Sequence, residues 1–208
     1  MAPVLETPRL ALREMSPGDL DFVAAMLGHP EVMRFYPKVY SRNEARTWLE
    51  RQRERYARDG HGLWLVEGRA TGEPVGQVGL LTQLVDGVKE PEIGYLIHRP
   101  FWRRGLASEA ALGVRAWAFD TLGHQRVISL IRPENLPSQG VARKLGMTPE
   151  KRAQVFDLEH IVFSVGRENG LTRRSTSGQS ETETVRSRSG EPVKPDTRSH
   201  RGQWRSDR

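Results

Sequence analysis

The chain has 208 residues, enough for one domain with a substantial buried core. It contains no cysteine, which excludes disulfides, thiolate metal ligands and a cysteine nucleophile. No segment approaches the roughly 18–20 uninterrupted apolar residues of a membrane helix. Residues 1–7 also lack the basic and apolar regions of a signal peptide, so we expect a cytoplasmic protein without membrane partner or metal.

The formal net charge of +6 is unevenly distributed along the chain. Residues 171–208 carry nine basic and five acidic side chains, so they hold most of the excess and leave residues 1–170 near balance. Their Ser, Thr, Gly, Arg, Glu and Pro cannot bury enough apolar surface to fold. The sequence therefore predicts a folded domain over 1–168 and a disordered basic tail over 169–208. The tail is either a solvated extension or a weak electrostatic arm for RNA or the ribosome, in which Trp204 stacks on a base.

The first half of the chain predicts helices followed by a run of strands. Ser41 and Glu44 have the spacing of a capping box, so we expect a helix to begin there and to continue to about Arg58. Glycine-containing turn segments separate the apolar runs that follow. The predicted elements are a strand over 4–15, a helix over 16–27, a helical turn over 31–35, the helix over 41–58, and strands over 63–67, 75–84 and 90–97.

The second half of the chain alternates helices and strands. A helix over about 105–121 precedes an apolar strand over 125–132, a helix over 134–145 and a hairpin of strands over 148–152 and 156–165. Meandering strands followed by a βαβα pattern are typical of a mixed α/β sheet with helices on its faces.

The segment from His98 to Glu109, here called the basic turn, connects the strand over 90–97 to the helix that follows. The first N–H groups of a helix have no partner within the helix, and the helix dipole adds partial positive charge there. Gly105 lets the backbone approach a ligand closely, and the arginines at 103 and 104 can donate to phosphate oxygens. The basic turn therefore favours a pyrophosphate site over an ordinary turn with solvated arginines. It matches neither the P-loop pattern nor the Gly-x-Gly-x-x-Gly pattern.

Trp102-Arg103-Arg104-Gly105-Leu106-Ala107 resembles the acyl-CoA pyrophosphate loop of the GNAT N-acetyltransferase superfamily. That loop has the pattern Gln/Arg-x-x-Gly-x-Gly/Ala, from which Trp102 departs at the first position. Further segments that resemble the RimJ/RimL-like branch of the superfamily lie at 5–13, 30–35, 92–97 and 135–147. The resemblance implies an acetyl-CoA donor and a central, mostly antiparallel twisted sheet of about 6–7 strands. This sheet would be splayed at the cofactor site and carry helices on both faces.

The resemblance assigns cofactor roles to two helix starts and one strand end. The pyrophosphate would contact backbone groups and arginines of the basic turn, namely Arg103, Arg104, Gly105, Leu106, Ala107 and Ser108. Backbone groups of Leu96 and Ile97 would polarise the thioester carbonyl and pair with pantetheine, to which Asn135 would also bind. Arg143 and Lys144 could reach the adenosine phosphates, although exposure to solvent is the favoured interpretation.

Acetyl transfer to an amine needs a base for the ammonium group and a donor for the leaving thiolate. Glu92, in the strand before the basic turn, is the first candidate base, and a structural carboxylate is an equally weighted alternative. His98 is a second candidate because the unperturbed pKa of histidine is about 6.5. Many members of the superfamily protonate the thiolate with a tyrosine, but residues 125–165 contain none. Ser138 is therefore the candidate, either as an acid or as a residue that only positions the cofactor.

The acceptor side is weakly determined by the sequence. Tyr36, Trp64, Gln77 and Tyr95 are candidate substrate-lining residues, and burial in the core is the alternative for the aromatic ones. The leading hypothesis is an acetyl-CoA-dependent N-acetyltransferase acting on a primary amine of a peptide N-terminus, polyamine, antibiotic or metabolite. The rival hypothesis is a non-catalytic module that binds CoA, RNA or the ribosome, and a homodimer is left open.

Overall fold

A computed structural model describes residues 2–167, and the structural statements that follow concern this part of the chain. Eight strands form one sheet in the order β1-β2-β3-β4-β5-β6-β8-β7. The strands are β1 Leu5–Glu6, β2 Leu10–Arg13, β3 Leu63–Gly68, β4 Pro74–Val85, β5 Val88–Ile97, β6 Arg126–Ile131, β7 Thr148–Val155 and β8 Leu158–Gly166. The α-helices are α1 Leu20–Leu27, α2 Pro30–Met33, α3 Arg42–Asp59, α4 Leu106–Asp120 and α5 Leu136–Lys144, and short 3₁₀ helices lie at Pro17–Asp19 and Arg99–Phe101.

Helices cover both faces of the sheet because its central strands are apolar on both faces. In β3, Leu63 and Leu65 pack in a buried cluster with α1, α2 and α3. Trp64 and Val66 pack in a second cluster with α4 and with β8. Successive side chains of a strand point to opposite faces, so β3 is a continuous apolar run rather than an alternating one. Burying each of these large side chains contributes about 1.5–3 kcal/mol.

The sheet opens between β5 and β6, which run parallel and are in register at a single pair, Glu92 and Ile128. Just beyond that pair, the Ser129 hydroxyl donates to the Ile93 carbonyl at 2.8 Å. From there the two strands lead to the starts of α4 and α5, so an opening separates their carboxyl ends. The mixed, mostly antiparallel sheet with helices on both faces confirms the predicted fold.

Local sequence signals set most element ends. The predicted capping box is present, because Ser41 N–H donates to Glu44 Oε2 at 2.8 Å and Glu44 N–H donates to Ser41 Oγ at 3.3 Å. Gly60 ends α3 in the left-handed conformation, with a φ of 74°. The predicted helices over 105–121 and 134–145 correspond to α4 and α5 within two residues at each end.

Three details of the predicted fold are wrong. The single strand over 4–15 is two antiparallel strands, β1 and β2, joined by a turn that contains Pro8. Thr7 N–H closes this turn on the Leu10 carbonyl at 2.8 Å. The closing hairpin turns at Phe156 and Asp157, both at positive φ, so Phe156 does not belong to a strand. The sheet has eight strands rather than about 6–7, since the N-terminal segment supplies two and not one.

The predicted tail over 169–208 lies outside the described residues. Within residues 2–167, no helix combines the length and the apolar composition that a bilayer crossing requires.

Candidate active site

A cavity of about 410 Å³ lies at the opening between β5 and β6. Its walls come from the end of β5, the basic turn, the first turns of α4 and α5, and the segment that contains α2. The lining residues include Glu31, Arg34, Phe35, Tyr36, Tyr95, Leu96, Ile97, Phe101, Trp102, Arg103, Gly105, Leu106, Ala107, Ser108, Asn135, Pro137, Ser138 and Lys144. This volume is within the range of small-molecule sites.

The basic turn contains two residues at positive φ, separated by Arg104. Arg103 lies at a φ of 61° and Gly105 at 77°. A side-chain-bearing residue in this region costs about 1–3 kcal/mol and persists only where its surroundings impose it. One contact that holds the turn is made by the indole of Trp102, whose Nε1 donates to the Ile97 carbonyl at 2.6 Å. The turn is therefore held in a defined shape at the cavity wall.

The first turn of α4 leaves backbone donors unused at the cavity. Its N-cap, Gly105, has no side chain to accept a hydrogen bond. Within the described residues, the N–H groups of Leu106, Ala107 and Ser108 have no hydrogen-bond acceptor. All three residues line the cavity. Unpaired N–H groups and the positive end of a helix dipole at one wall form an arrangement suited to an anion.

The two arginines predicted to contact phosphate have different surroundings. Arg103 lines the cavity. The guanidinium of Arg104 lies over the ring of Phe101, 5.4 Å from its centroid, and Arg104 is not among the lining residues. Lys144, for which exposure to solvent was favoured, is exposed and also lines the cavity. Arg143 lies over the Phe163 ring at 5.6 Å and is not at the cavity.

The two predicted backbone positions on β5 face opposite directions. Because His98 N–H donates to the Val75 carbonyl, and backbone groups alternate along a strand, the groups of Leu96 point toward β4. Those of Ile97 and Tyr95 point toward the opening, as the bond from Trp102 to the Ile97 carbonyl indicates. The N–H groups of Tyr95 and Ile97, rather than that of Leu96, are therefore directed to the side where a thioester arm would lie.

The start of α5 forms the wall opposite the basic turn. Asn135 is the N-cap, and its Oδ1 accepts from the Ser138 N–H at 3.2 Å. The Tyr95 hydroxyl donates to the Ser138 carbonyl at 2.8 Å, which fastens α5 to β5 across the opening. Burial raises the pKa of Tyr95, so this hydroxyl stays protonated. Asn135, Ser138 and Tyr95 are thus brought together at the cavity.

Glu92 lies at the apex of the opening and does not line the cavity. It is 9% exposed, and its carboxylate accepts from Gln83 Nε2 at 2.7 Å and from the Leu130 N–H at 3.3 Å. The second bond satisfies a backbone donor that the divergence of β6 leaves without a strand partner. Burial raises the pKa of Glu92, with the two hydrogen bonds acting in the opposite direction. The geometry therefore gives Glu92 a structural role and also the raised pKa that suits a base.

His98 lies beside the cavity wall rather than in it. Its ring contacts the rings of Phe22 and His29 edge-on, with centroid distances of 5.7 and 5.9 Å. Its Nδ1 is buried without a partner in the described chain, and burial together with the charge of His29 lowers its pKa. These surroundings favour a neutral packing residue over a base.

The predicted acceptor residues separate into two groups. Tyr36 lines the cavity and is 44% exposed, and Tyr95 lines it from the opposite side. Trp64 is fully buried on the α4 face, edge-on to Trp117 at 5.0 Å, and Gln77 is 2% exposed and accepts from Trp48 Nε1 at 3.1 Å. Neither Trp64 nor Gln77 reaches the cavity, because each is part of the packed layers around β3 and β4.

Two ion pairs near the cavity were not expected from the sequence. Arg99 pairs with Glu31, which ties α2 to the basic turn, and its guanidinium lies 5.2 Å from the Trp102 ring centroid. Arg9 pairs with Glu109 at 2.6 Å. The partners are 68 and 100 residues apart in the chain, and only the fold brings them together. Each of the four residues lies in a segment that the sequence had singled out, but no local pattern indicated which of them pair.

An eight-stranded α/β sheet that opens beside a helix start with free backbone donors indicates the class of protein to which this chain belongs. The family model described as "Acetyltransferase (GNAT) domain" matches residues 9–148. The chain therefore belongs to the GNAT acetyltransferase family and is an acyltransferase. Members of this family use acetyl-CoA as the acetyl donor. Among the described residues, no group of histidine and carboxylate side chains could hold a metal ion.

Related sequences and a solved structure agree with this assignment. The chain is 33% identical over 160 residues to the uncharacterized protein YkkB of Bacillus subtilis, covering 76% of the chain and 93% of the relative. It is 31% identical over 152 residues to the uncharacterized N-acetyltransferase YoaA of the same organism, covering 72% and 85%. An acetyltransferase structure from Agrobacterium tumefaciens superposes with a TM-score of 0.71 at 28% identity, covering 80% of this chain and 96% of that one. The family assignment argues against the non-catalytic module.

Proposed function

We propose that this acyltransferase moves the acetyl group of acetyl-CoA to a primary amine. The observation that carries the donor half of the proposal is the start of α4, where three N–H groups at the cavity have no acceptor among residues 2–167. An acyl-CoA has a pyrophosphate for such a helix start and a long pantetheine arm for the opening between β5 and β6. Acetyl-CoA supplies the acetyl group as a thioester.

On the proposed donor side, each wall of the cavity has one task. The N–H groups of residues 105–108 would bind the pyrophosphate, with Arg103 adding charge. The N–H groups of Tyr95 and Ile97 would pair with the pantetheine arm and polarise the carbonyl oxygen of the thioester. Asn135 would hold the arm from the α5 side, where Tyr95 fixes the position of the helix.

On the proposed chemical side, two residues move protons. Glu92 would take the proton of the acceptor ammonium through water, because its carboxylate does not line the cavity. Its raised pKa brings it closer to the range in which a carboxylate is an effective base at neutral pH. Ser138, which lines the cavity, would donate a hydrogen bond to the leaving thiolate. The acceptor would enter past Tyr36, the exposed aromatic residue on the α2 side.

The donor proposal is tested by a charge placed at the start of α4. Gly105→Asp puts a carboxylate where the pyrophosphate would lie, and like charges in contact cost several kcal/mol. We expect the affinity for acetyl-CoA, measured by calorimetry, to fall by about a hundredfold or more. Gly72→Asp is the matched control, since Gly72 has a similar φ of 68°, open space around it and no place at the cavity. Equal loss in both variants would contradict the proposed site.

The acceptor proposal is tested by thiol release. Peptides with free N-termini, polyamines, aminoglycosides and amino metabolites would be compared as acceptors, with their N-acetylated forms as matched controls. We expect release of CoA thiol with at least one free amine and none with its acetylated form. The sequence similarity of residues 5–13, 30–35, 92–97 and 135–147 to the RimJ/RimL-like branch supports including peptide N-termini first. Thiol release with a hydroxyl acceptor but with no amine would contradict the proposal.

A further inference from the structure

The turn between β1 and β2 reaches the basic turn through one side chain, Arg9. Its Nη1 donates to the Arg104 carbonyl at 3.1 Å, and its Nε donates to Glu109 Oε2 at 2.6 Å. The backbone N–H of Arg9 donates to Glu109 Oε1 at 2.9 Å, and the hydroxyl of Thr7 donates to the same oxygen at 2.7 Å. Arg9 does not line the cavity.

The bond to the Arg104 carbonyl determines the direction of the next N–H. A peptide group is planar and trans, so its C=O and N–H point in opposite directions. Arg9 holds the Arg104 C=O on the side of the β1–β2 turn, and the Gly105 N–H is therefore directed to the other side. Gly105 lines the cavity, as do the three residues after it. A rotated 104–105 peptide would instead present a carbonyl oxygen, which repels phosphate.

The hydrogen bonds to Glu109 pair a carboxylate that would otherwise repel an anion at the start of α4. Glu109 lies in the first turn of α4, where a negative charge competes with an anionic ligand for the positive end of the helix dipole. Although burial acts to raise it, the hydrogen bonds from Thr7 and Arg9 hold the pKa of Glu109 below its ordinary value. Its charge is thus paired on the side of the β1–β2 turn, and its side chain is only 17% exposed.

We propose that Arg9 is a positioning residue for the donor: it orients the 104–105 peptide and pairs Glu109 so that the start of α4 binds pyrophosphate. The inference rests on the proposed donor site and adds a residue that touches neither the cavity nor the reacting atoms. A guanidinium is needed because its planar fork spans two acceptors, whereas an ammonium acts as a point charge. The effect should therefore be specific to ligands that contain the pyrophosphate.

The test compares Arg9→Gln and Arg9→Lys with Arg69→Gln. Arg69 is the matched control, because it donates to the Thr7 carbonyl at 3.2 Å and pairs with Glu6 in the same hairpin but has no bond to the basic turn. Binding of CoA would be measured by calorimetry, and binding of pantetheine, which lacks the pyrophosphate, by ligand-observed NMR. Neither measurement requires a known acceptor. Pantetheine binding also reports whether each variant retains the folded site.

We expect both Arg9 variants to bind CoA about tenfold more weakly, with pantetheine binding and the Arg69→Gln variant unchanged. Wild-type affinity of Arg9→Lys would overturn the inference, since positive charge alone would then suffice. A parallel loss of CoA and pantetheine binding would overturn it too, because the effect would not depend on the pyrophosphate. Failure of the wild-type chain to bind CoA would remove the proposed donor site as well, whereas wild-type binding with unaffected Arg9 variants removes only the role of Arg9.

Discussion

The two helices that begin at the cavity, α4 and α5, start in opposite ways. At α5 every early N–H is satisfied or absent: Leu136 N–H donates to the Glu134 carbonyl, Pro137 has none, and Ser138 N–H donates to Asn135 Oδ1. At α4 the N-cap is Gly105, and the next three N–H groups have no acceptor in the described chain. The start of α5 is satisfied by groups of its own segment, whereas the start of α4 leaves its donors free at the cavity.

This difference suits the two helix starts to different tasks: α4 to binding an anion, and α5 to holding side chains in place. A glycine N-cap gives up only about a few tenths of a kcal/mol relative to a capping side chain, and it keeps donors free for an anion. A capped start contributes its stability to the fold and presents side chains, here Asn135 and Ser138, in fixed places. The donor anion is therefore expected at α4, and the residues that hold the arm and the leaving sulfur at α5.

The largest expected effect is on catalysis, and it concerns Glu92 at the point where β5 and β6 separate. Glu92→Gln keeps the side-chain shape and an acceptor for the Leu130 N–H, but its amide cannot take a proton. We therefore expect kcat for acetyl transfer to fall by about a hundredfold. Because burial raises the pKa of Glu92, the acidic limb of the pH–rate profile should lie above the ordinary carboxyl value and should disappear in the variant.

Glu90→Gln is the control for this variant, since Glu90 is on the same strand but pairs with Arg126 away from the cavity. A Glu92→Gln profile with the wild-type rate and the wild-type limb would leave Glu92 only its structural role at the opening.

A smaller effect tests the capped helix directly. Asn135→Ala removes the acceptor for Ser138 N–H, so the free energy of unfolding in urea should fall by about 1 kcal/mol. The newly freed donor should not create a strong anion site, because Pro137 contributes no N–H beside it. Asn135 would also lose its contact with the pantetheine arm, so we expect the affinity for CoA to fall by about three- to tenfold, which is less than in Gly105→Asp. A hundredfold loss in Asn135→Ala would mean that α5, and not α4, dominates donor binding.

The smallest expected effect is on the pH dependence of stability, and it concerns His98, the first residue of the basic turn. Burial, followed by the charge of His29, lowers the pKa of His98, so the unfolded chain binds its proton at a higher pH than the folded chain does. The free energy of unfolding should therefore decrease as the pH falls below about 6.5. Glu92 acts in the opposite direction, because its raised pKa stabilises the folded chain at low pH.

The contribution of His98 is isolated by comparing wild type with His98→Gln in urea titrations between pH 7 and pH 5. The difference in the free energy of unfolding between wild type and His98→Gln should become smaller as the pH falls. His124→Gln is the comparison away from the cavity lining: burial also lowers the pKa of His124, so we expect the same pH dependence there. A constant difference for His98→Gln would show that its imidazole titrates alike in the folded and unfolded chains.

Local signals predicted the parts of the site that lie within one stretch of chain. The capping box at Ser41 and Glu44, and the glycine at the start of α4, each act over three or four residues, so their consequences can be inferred from the sequence. The faces of β3 and β4 could not be inferred in this way. Both faces of these strands are buried, and no alternation of apolar and polar residues distinguishes the layer that holds Trp64 from the one that holds Gln77.

By itself, the sequence indicated the class of the protein and the helix start that we propose as the anion site, because a basic strand-to-helix turn with Gly105 is a local feature. Only the tertiary structure decided which residues share that site. The divergence of β5 from β6 makes the cavity, and the pairing of β5 with β4 directs the backbone of Ile97, and not that of Leu96, to the opening. Arg9 reaches the turn across 95 residues of chain, a contact that depends on the fold of the sheet and on no local pattern.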